Sequence, residues 1–435
     1  MQKIEKILNE IMSYSDKYKS DVFKIADKIW EFAEVKFATP LSTNLICDYL
    51  ESHGFEIERN SANIDCAFVA SWGDMGPVVG YLAEYDALSG MGQPSQCYQE
   101  VTSEEPGHAC GHNLLGTGVI HAALLFKDYC LNHGFDYQVK VYGCPAEESG
   151  YAKNIMAEAG VFNDATIILT WHPNAFTQAW VERTLAVKTV TISFAGIASH
   201  AAGAPEKGRS ALDACELMNV GVNYLREHMS MEARIHYAYL NAGGTSANVV
   251  QKEAQLHYFI RGKNKNEVES LCNRVQDIAK GAALMTQTEM KFEVDASCRD
   301  LNASIPLSQT LETVMRSAKQ IELDDSDKLH LEKYCHDPTN LYFDTQIRDA
   351  RYHYQDYVST DVGDVSWCVP TAQLFIACEP FDTPMHSWQW VDNGKSNVAH
   401  KGIIKAGEVL ATTAIYVFQN KTLLQEIEEA FESEL

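Results

Sequence analysis

Short apolar segments alternate with helical segments through the first 185 residues, and this alternation restricts the possible folds more than any other feature of the sequence. The runs PVVGYLAEYD, DYQVKVYGC and TIILTW are continuously apolar, as buried strands are, and helical patterns separate them. A further helical pattern runs from Phe23 to about Gly54. Strands connected through helices lie parallel in one sheet. The sequence therefore predicts an α/β domain with a mostly parallel central sheet flanked by helices.

The pattern changes near Leu185 and returns near Leu301. Between these points the chain reads β-α-β-β-α-β, with strands VKTVTISFAG, ARIHYAYL, AQLHYFIRG and TEMKFEVDAS. A chain of 435 residues also exceeds what one hydrophobic core usually organises. We therefore expect a discontinuous domain formed by residues 1–185 and 300–435, with a ferredoxin-like domain inserted at residues 186–299.

Charge and cysteine usage exclude several classes of protein. The formal net charge of -24 repels polyanions, so we expect no nucleic-acid partner. The first 20 residues have apolar side chains at helical spacing, unlike a signal peptide, and we expect neither a bilayer-spanning run nor a membrane partner. The 12 cysteines include no CxxC pair, which favours free thiols in a reducing compartment. We therefore expect a cytoplasmic protein.

The stretch PGHACGHNLLGTG contains the first candidate metal ligands. Cys110 and His112 are separated by one residue, so a turn can bring both to one ion. A thiolate and an imidazole suit zinc or another borderline divalent metal. His108 precedes this pair, and we expect it to pack or hydrogen-bond nearby. The glycines at 111, 116 and 118 lack dinucleotide-binding spacing, so we expect them to serve close helix packing.

Further candidate ligands follow two of the predicted strands. Glu147 and Glu148 come after DYQVKVYGC, and His172 follows TIILTW, so all three lie where sites form in parallel sheets. One glutamate can bind a metal while its neighbour faces a water, an arrangement suited to amide hydrolysis. Taken singly, Cys110 could be a buried thiol, His112 a helix cap and the glutamates a solvated turn. Together they form the ligand set of one site.

Several long segments resemble one known family. HACGHN, PAEE, WHP and HSWQW together are similar to the peptidase M20 family of metal-dependent amidohydrolases, and the similarity extends over nearly the whole chain, including FAGIASHAA in the insertion. Within that family, LAEYDALSG, STDVGDVSW and HSWQWVDNGKSNVAHKG most resemble the subgroup of p-aminobenzoyl-glutamate hydrolases, in particular their B-type chains. The resemblance implies an enzyme that hydrolyses the amide bond of an N-acyl or N-aroyl amino acid. The insertion would be its lid and dimerisation domain.

The resemblance also implies the roles of site residues. Glu147 would be the general base acting on a metal-activated water, and Asp86 would complete the catalytic set by orienting a metal ligand, although Asp86 could also be a turn residue before Gly90. One or two divalent ions, zinc or manganese, are expected. Their ligands would be Cys110, His112, Glu148, His172 and His386.

Three residues of the insertion would contact the substrate. By resemblance, His200 and Asn248 would contact the reacting carbonyl or the substrate, across a homodimer or a heterodimer with a homologous subunit. Arg261 would hold a carboxylate of the substrate in a bidentate pair. Their ordinary readings are a turn histidine, a loop cap and a solvated strand end.

One position departs from the family pattern, and two other functions stay open. Asn113 stands where the commoner motif has aspartate, which puts the electrostatics around the ligands in question. The same site would serve a dipeptidase or a deacylase of another N-acyl amino acid. A non-catalytic metal-binding partner subunit is the alternative from another class, although its metal site would not need the base Glu147.

Overall fold

The computed structural model describes residues 2–95, 105–334 and 343–434. Its strands are β1 Glu56–Arg59, β2 Phe68–Trp72, β3 Val78–Glu84, β4 Gln138–Cys144, β5 Ile167–Asn174, β6 Gln178–Trp180, β7 Ala186–Ala195, β8 Arg234–Asn241, β9 Glu253–Gly262, β10 Glu289–Cys298 and β11 Thr371–Ala377. Its α-helices are α1 Gln2–Ser15, α2 Lys19–Phe32, α3 Pro40–Ser52, α4 His112–His133, α5 Ala152–Glu158, α6 Ala211–Leu225, α7 Lys265–Thr286, α8 Ile305–Ser317, α9 Asp325–Leu331, α10 Val362–Ser366, α11 Trp388–Asn393, α12 Asn397–Phe418 and α13 Lys421–Glu432.

The chain divides into two compact units. Unit 1 comprises Met1–Glu182, Asn302–Tyr354 and Val365–Leu435, and unit 2 comprises Arg183–Leu301 and Gln355–Asp364. The second segment of unit 2 had no counterpart in the sequence analysis. It joins the start of the insertion through main-chain bonds, because the Leu185 N–H donates to the Val358 carbonyl at 2.8 Å.

Unit 1 is built on a seven-stranded sheet in the order β1-β2-β4-β3-β5-β11-β6. The four strands β4, β3, β5 and β11 are mutually parallel, whereas β1, β2 and β6 pair antiparallel with their neighbours. The expected α/β fold is confirmed, but the sheet is mixed rather than mostly parallel. The short outer strands did not carry the long apolar runs from which parallel strands are recognised. The parallel centre brings the carboxyl ends of β3, β4, β5 and β11 to one edge.

Helix α4 is the central core helix of unit 1. It packs against α12 and against β3, β4 and β5, and nearly all of its side chains are buried up to Cys130. Among the described residues it is the one helix long and apolar enough to cross a membrane by length and composition, a feature that the sequence analysis did not expect. Since 83% of its most apolar window is buried inside the protein, its apolar character is explained by the core.

Unit 2 has the predicted β-α-β-β-α-β order. Its four strands form an antiparallel sheet in the order β10-β7-β9-β8, and α6 and α7 pack on it. The inner strand β9 alternates buried and exposed residues, as expected for a sheet with one covered face. Strand β8 lies at the open edge.

The long helical pattern predicted from Phe23 to about Gly54 is two helices, so that prediction was wrong. Helix α2 ends at Phe32, where Ala33 adopts a left-handed conformation with φ 43°. Helix α3 begins at Pro40, whose ring has no N–H to donate and is tolerated in a first helical turn. The proline was the sequence signal for this break.

The cysteines in the described part of the chain are all free thiols, and eight of the ten are buried. Cys97 and Cys335 lie outside the described residues. The expectation of unpaired thiols is met by these ten.

Candidate metal centre

The end of β3 and the start of α4 form the base of the site. His112, the first residue of α4, directs Nδ1 to the Asp86 carboxylate at 3.1 Å and to the Asp86 carbonyl at 3.0 Å. Both partners are acceptors, so Nδ1–H donates and the lone pair of Nε2 is left for another group. The second Asp86 oxygen accepts the backbone N–H of Glu148 at 3.0 Å. Asp86 thus orients two residues of the predicted ligand set.

Glycines allow α4 to begin at this position. Gly111 caps the helix with φ +75°, and a Cβ there would lie 2.6 Å from the Pro173 ring. Inside the helix, a Cβ on Gly116 would lie 2.6 Å from the Glu84 carbonyl oxygen, and one on Gly118 would lie 2.4 Å from the Trp171 indole. The expectation that these glycines serve close packing is confirmed.

Cys110 and His172 face each other across the strand ends. The His172 Nε2 lies 3.3 Å from the Cys110 Sγ, while its Nδ1–H donates to the Pro173 carbonyl at 2.7 Å. Burial lowers the pKa of His172 to about 4, so the ring is neutral near pH 7. A neutral imidazole with a free Nε2 lone pair is the form that binds metals.

Glu147 and Glu148 lie in the turn after β4, and His386 lies in the segment before α11. The Glu148 Oε1 is 3.5 Å from the His386 Nε2, and the Glu147 Oε2 is 4.0 Å from the His112 Nε2. His386 adopts φ 58°, a left-handed backbone that is costly for a non-glycine residue. Its N–H donates to the Ala109 carbonyl at 3.0 Å, which ties this segment to the loop before α4.

Two charged residues that the sequence analysis did not single out border the cluster. Glu84, the last residue of β3, lies with Oε2 3.3 Å from the His112 Nε2 and Oε1 2.7 Å from the Lys153 Nζ. Burial favours a raised pKa for Glu84, but the charges of Lys153 and His112 outweigh it and hold the pKa below its ordinary value. Their sequence signal was a charged residue closing an otherwise apolar strand, followed by an opposite charge early in α5.

The donor set fits divalent metal ions. Three groups, each with ligand atoms within 4.8 Å of one another, are Cys110 with His112 and His172, Cys110 with Glu148 and His386, and Glu84 with His112 and Glu147. The buried atoms His112 Nε2 and Glu148 Oε1 make no hydrogen bond. Two donors on one tetrahedral ion lie roughly 3.3 to 3.6 Å apart. The close pairs in the cluster are at that separation.

Asn113 and His108 face away from the candidate ligands. The Asn113 side-chain amide donates to the Gly394 carbonyl at 3.0 Å and to the Ala26 carbonyl at 3.4 Å. A carboxylate could not donate these bonds, so the asparagine ties α4 to α2 and to the end of α11. His108 is buried and hydrogen-bonds to the Ile29 carbonyl at 3.0 Å, as expected.

The three predicted substrate residues lie in unit 2. His200 accepts the N–H groups of Ala202 and Gly203 at its Nδ1, at 3.2 and 3.0 Å. The backbone of Asn248 lies alongside, since its carbonyl accepts the Ala201 N–H at 3.0 Å. The structure therefore brings His200 and Asn248 together in one exposed region.

Arg261 lies in β9, apart from that loop pair in the chain. Its Nε donates to the Ser359 hydroxyl at 3.3 Å, and its guanidinium lies 5.2 Å from the centre of the Phe259 ring. Both contacts leave guanidinium N–H groups available to a carboxylate.

Comparison with known proteins gives this site a family. The model of the peptidase dimerisation domain of M20 proteins matches residues 186–285, so the chain carries the module through which such chains assemble with a homologous chain. The B-type chain of the p-aminobenzoyl-glutamate hydrolase of Escherichia coli K12 is 40% identical, covering 99% of this chain and 95% of that one. The Xaa-Arg dipeptidase of Mus musculus is 28% identical, covering 85% and 78%.

A solved structure agrees with the fold. A dinuclear metal-binding peptidase of the M20 family from Bacillus subtilis superimposes with a TM-score of 0.59 at 17% identity, covering 92% of this chain and 99% of that one. With 40% identity to a hydrolase over nearly its full length, this chain belongs to the peptidase M20 family of metal-dependent amidohydrolases.

Proposed function

We propose that this protein hydrolyses the amide bond of an N-aroyl or N-acyl amino acid and that p-aminobenzoyl-glutamate is its leading candidate substrate. The substrate class follows from the relative that is 40% identical over 99% of the chain and is named for that amide. The observation that carries the mechanism is the position of Glu147, whose carboxylate borders the proposed metal ligands without being needed to complete them.

The proposed ligands are Cys110, His112, Glu148, His172 and His386. A divalent metal ion held by them would lower the pKa of a water molecule and polarise the substrate carbonyl. We infer two ions from the charge of the cluster. With Cys110 ionised, Glu84, Asp86, Glu147 and Glu148 bring the total to five negative charges beside the positive charge of Lys153. Two divalent cations would leave this largely buried cluster neutral.

Glu147 is proposed as the general base and then the general acid. Its carboxylate takes a proton from the attacking water as the oxygen bonds to the carbonyl carbon. When the carbon–nitrogen bond breaks, protonated Glu147 gives that proton to the leaving amine, so the carboxylate is restored. Asp86 keeps the His112 ring and the Glu148 backbone in position throughout.

We further propose that unit 2 supplies the substrate contacts and the assembly surface. His200 and Asn248 are assigned to the reacting carbonyl, and Arg261 to a carboxylate of the amino-acid product. The open edge strand β8 and the neighbouring exposed face of α6 would pair with a second copy of this chain, which molar-mass measurement in solution tests. The reducing environment favoured by free thiols supports a cytoplasmic location.

A dipeptidase is the second candidate, because the 28% identical mouse relative is named an Xaa-Arg dipeptidase. A substrate panel distinguishes the candidates: p-aminobenzoyl-glutamate, an acetyl amino acid, a β-alanyl dipeptide and an Xaa-Arg dipeptide. The purified protein is stripped of metal and reloaded with zinc or manganese. Metal-dependent turnover that is fastest for the first substrate is expected. Fastest turnover of a dipeptide would favour the second candidate, and bound metal with no turnover would favour a role as a non-catalytic partner chain.

The Glu147→Gln variant tests the proposed mechanism. We expect turnover to fall by about 10²- to 10⁴-fold, because a positioned proton-transfer group is lost, while the metal content stays at the wild-type value. Glu158→Gln, at the exposed end of α5, is the matched control and should keep full activity. Wild-type turnover in Glu147→Gln would remove this residue from the mechanism.

A further inference from the structure

Glu84 is buried and held in one orientation by the chain around it. It closes β3, where it pairs in register with Cys144 of β4, and its side chain is almost fully inaccessible. The Lys153 ammonium binds one carboxylate oxygen, Oε1, at 2.7 Å, and the lysine side chain is fully buried. The other oxygen, Oε2, is therefore directed to the remaining neighbour, the Nε2 atom of His112 at 3.3 Å.

The contact between Glu84 and His112 does not have the geometry of a hydrogen bond. His112 Nε2 is fully buried and makes no hydrogen bond, although a carboxylate oxygen lies 3.3 Å away. The Nδ1–H of the same ring already donates to Asp86, so Nε2 carries a lone pair that repels another acceptor. Two acceptors held this close need a cation between them, and their separation is that of two ligands of one ion.

The geometry points to Glu84 as a further ligand of the metal ion that His112 binds, with Lys153 as the positioning residue that holds its second oxygen. This inference rests on the metal centre of the proposed function. Lys153 lies at the start of α5, five residues after Glu148. The ion pair therefore also anchors the turn that carries Glu147 and Glu148 onto the end of β3.

The test removes the carboxylate without leaving an unpaired buried charge. In the double variant Glu84→Gln/Lys153→Met both charges are absent, and a buried ion pair replaced by neutral groups is generally tolerated, whereas loss of one partner is not. The matched control is Asp128→Asn/Lys17→Met, which removes an ion pair of 2.9 Å from the same unit. Asp128 lies about 24 Å along α4 from His112, since a helix rises 1.5 Å per residue.

Both double variants and the wild type are stripped of metal and titrated with Co²⁺ in competition with a chelator. If Glu84 is a ligand, its double variant should bind Co²⁺ at least about tenfold more weakly, because even residues that only support a ligand change affinity by about 10- to 100-fold. The visible absorption of bound Co²⁺ should also change in intensity, since the ion has one donor fewer. The control should match the wild type in both measurements.

Three results would overturn the inference. Equal affinity and equal absorption in the wild type and the Glu84 double variant would show that Glu84 only pairs with Lys153, and the metal centre itself would stand. Absence of Co²⁺ binding by the wild type would reject the metal centre and this inference with it. If the double variant does not fold, Glu84→Asp replaces it, because the shorter carboxylate keeps the charge. An absorption spectrum identical to that of the wild type would then contradict the assignment.

Discussion

At the residue scale, the site depends on side chains whose two ends have different partners. Asp86 uses one oxygen for the His112 ring and the other for the Glu148 N–H. Burial favours a raised pKa for Asp86, but these hydrogen bonds outweigh it and hold the pKa below its ordinary value. Asp86 is therefore an ionised acceptor near pH 7, which keeps the Nε2 atom of His112 available as a ligand.

Asn113 shows how one residue can depart from a family pattern without touching the proposed chemistry. We expect Asn113→Asp to lower the free energy of unfolding by about 1–3 kcal/mol, because two buried carbonyls, those of Ala26 and Gly394, lose their donor. Metal content should not change. All seven tryptophans lie in unit 1, so tryptophan fluorescence during urea unfolding reports its stability.

The control for Asn113→Asp lies on the same helix. Asn132→Asp alters an exposed side chain that donates to the Asp128 carbonyl at 2.9 Å, and its effect should stay within about 0.5 kcal/mol. Unchanged stability of Asn113→Asp together with altered metal affinity would contradict the structural assignment of Asn113.

At the element scale, α4 forms the centre of unit 1 and also carries the first predicted metal ligand. It approaches β3 and β5 closely because it has glycines where other helices have side chains. The Trp171 indole occupies the space above Gly118 and donates to the Leu115 carbonyl at 3.0 Å. The position of His112 relative to the strand ends therefore depends on packing further along the same helix.

Gly118→Ala should destabilise unit 1, against the helix preference for alanine. The new methyl group would lie 2.4 Å from the Trp171 indole, and overpacking of this kind costs about 1–3 kcal/mol. Calorimetry, with tryptophan fluorescence to identify the transition of unit 1, measures the change. Gly281→Ala in α7 is the control, because no atom lies within 4 Å of its Cβ position, and it should stabilise unit 2 by up to about 1 kcal/mol. Stabilisation by both substitutions would show that α4 is not packed as described.

At the scale of the whole molecule, burial of ionisable groups makes the stability of unit 1 dependent on pH. His121 lies inside α4 with Nε2 2.9 Å from the Ser15 hydroxyl, and burial lowers its pKa from 6.5 to about 3. Above pH 6.5 the ring is neutral in both the folded and the unfolded chain. Below this pH the unfolded chain binds a proton that the folded chain does not bind until about pH 3, so acid favours unfolding.

We therefore expect His121 alone to lower the free energy of unfolding by roughly 1.4 kcal/mol per pH unit well below pH 6.5. Urea unfolding of the wild type and of His121→Gln at pH 7, 6 and 5 measures this contribution. The variant should be less stable at pH 7 but should lose less stability on acidification. His236→Gln, which replaces an exposed histidine of β8, should follow the wild-type pH dependence. Parallel curves for wild type and His121→Gln would contradict a neutral buried His121.

Local pattern in the sequence determined the α/β class, the β-α-β-β-α-β insertion and the candidate ligands Cys110, His112, Glu147, Glu148 and His172, while resemblance added Asp86 and His386. These features were accessible because apolar periodicity and metal-ligand chemistry are properties of neighbouring residues. The antiparallel outer strands and the break before Pro40 were missed, the first because short edge strands carry little pattern.

Only the tertiary structure decided which side chains meet. It placed Asn113 on two backbone carbonyls and joined Lys153 to Glu84, residues that are 69 positions apart. A charged residue at the end of a buried strand has no partner that sequence spacing can identify, because the partner comes from another element brought close by burial of the apolar core. For this protein, the types of ligand are written in local sequence, and the arrangement that lets them share one site is a product of packing.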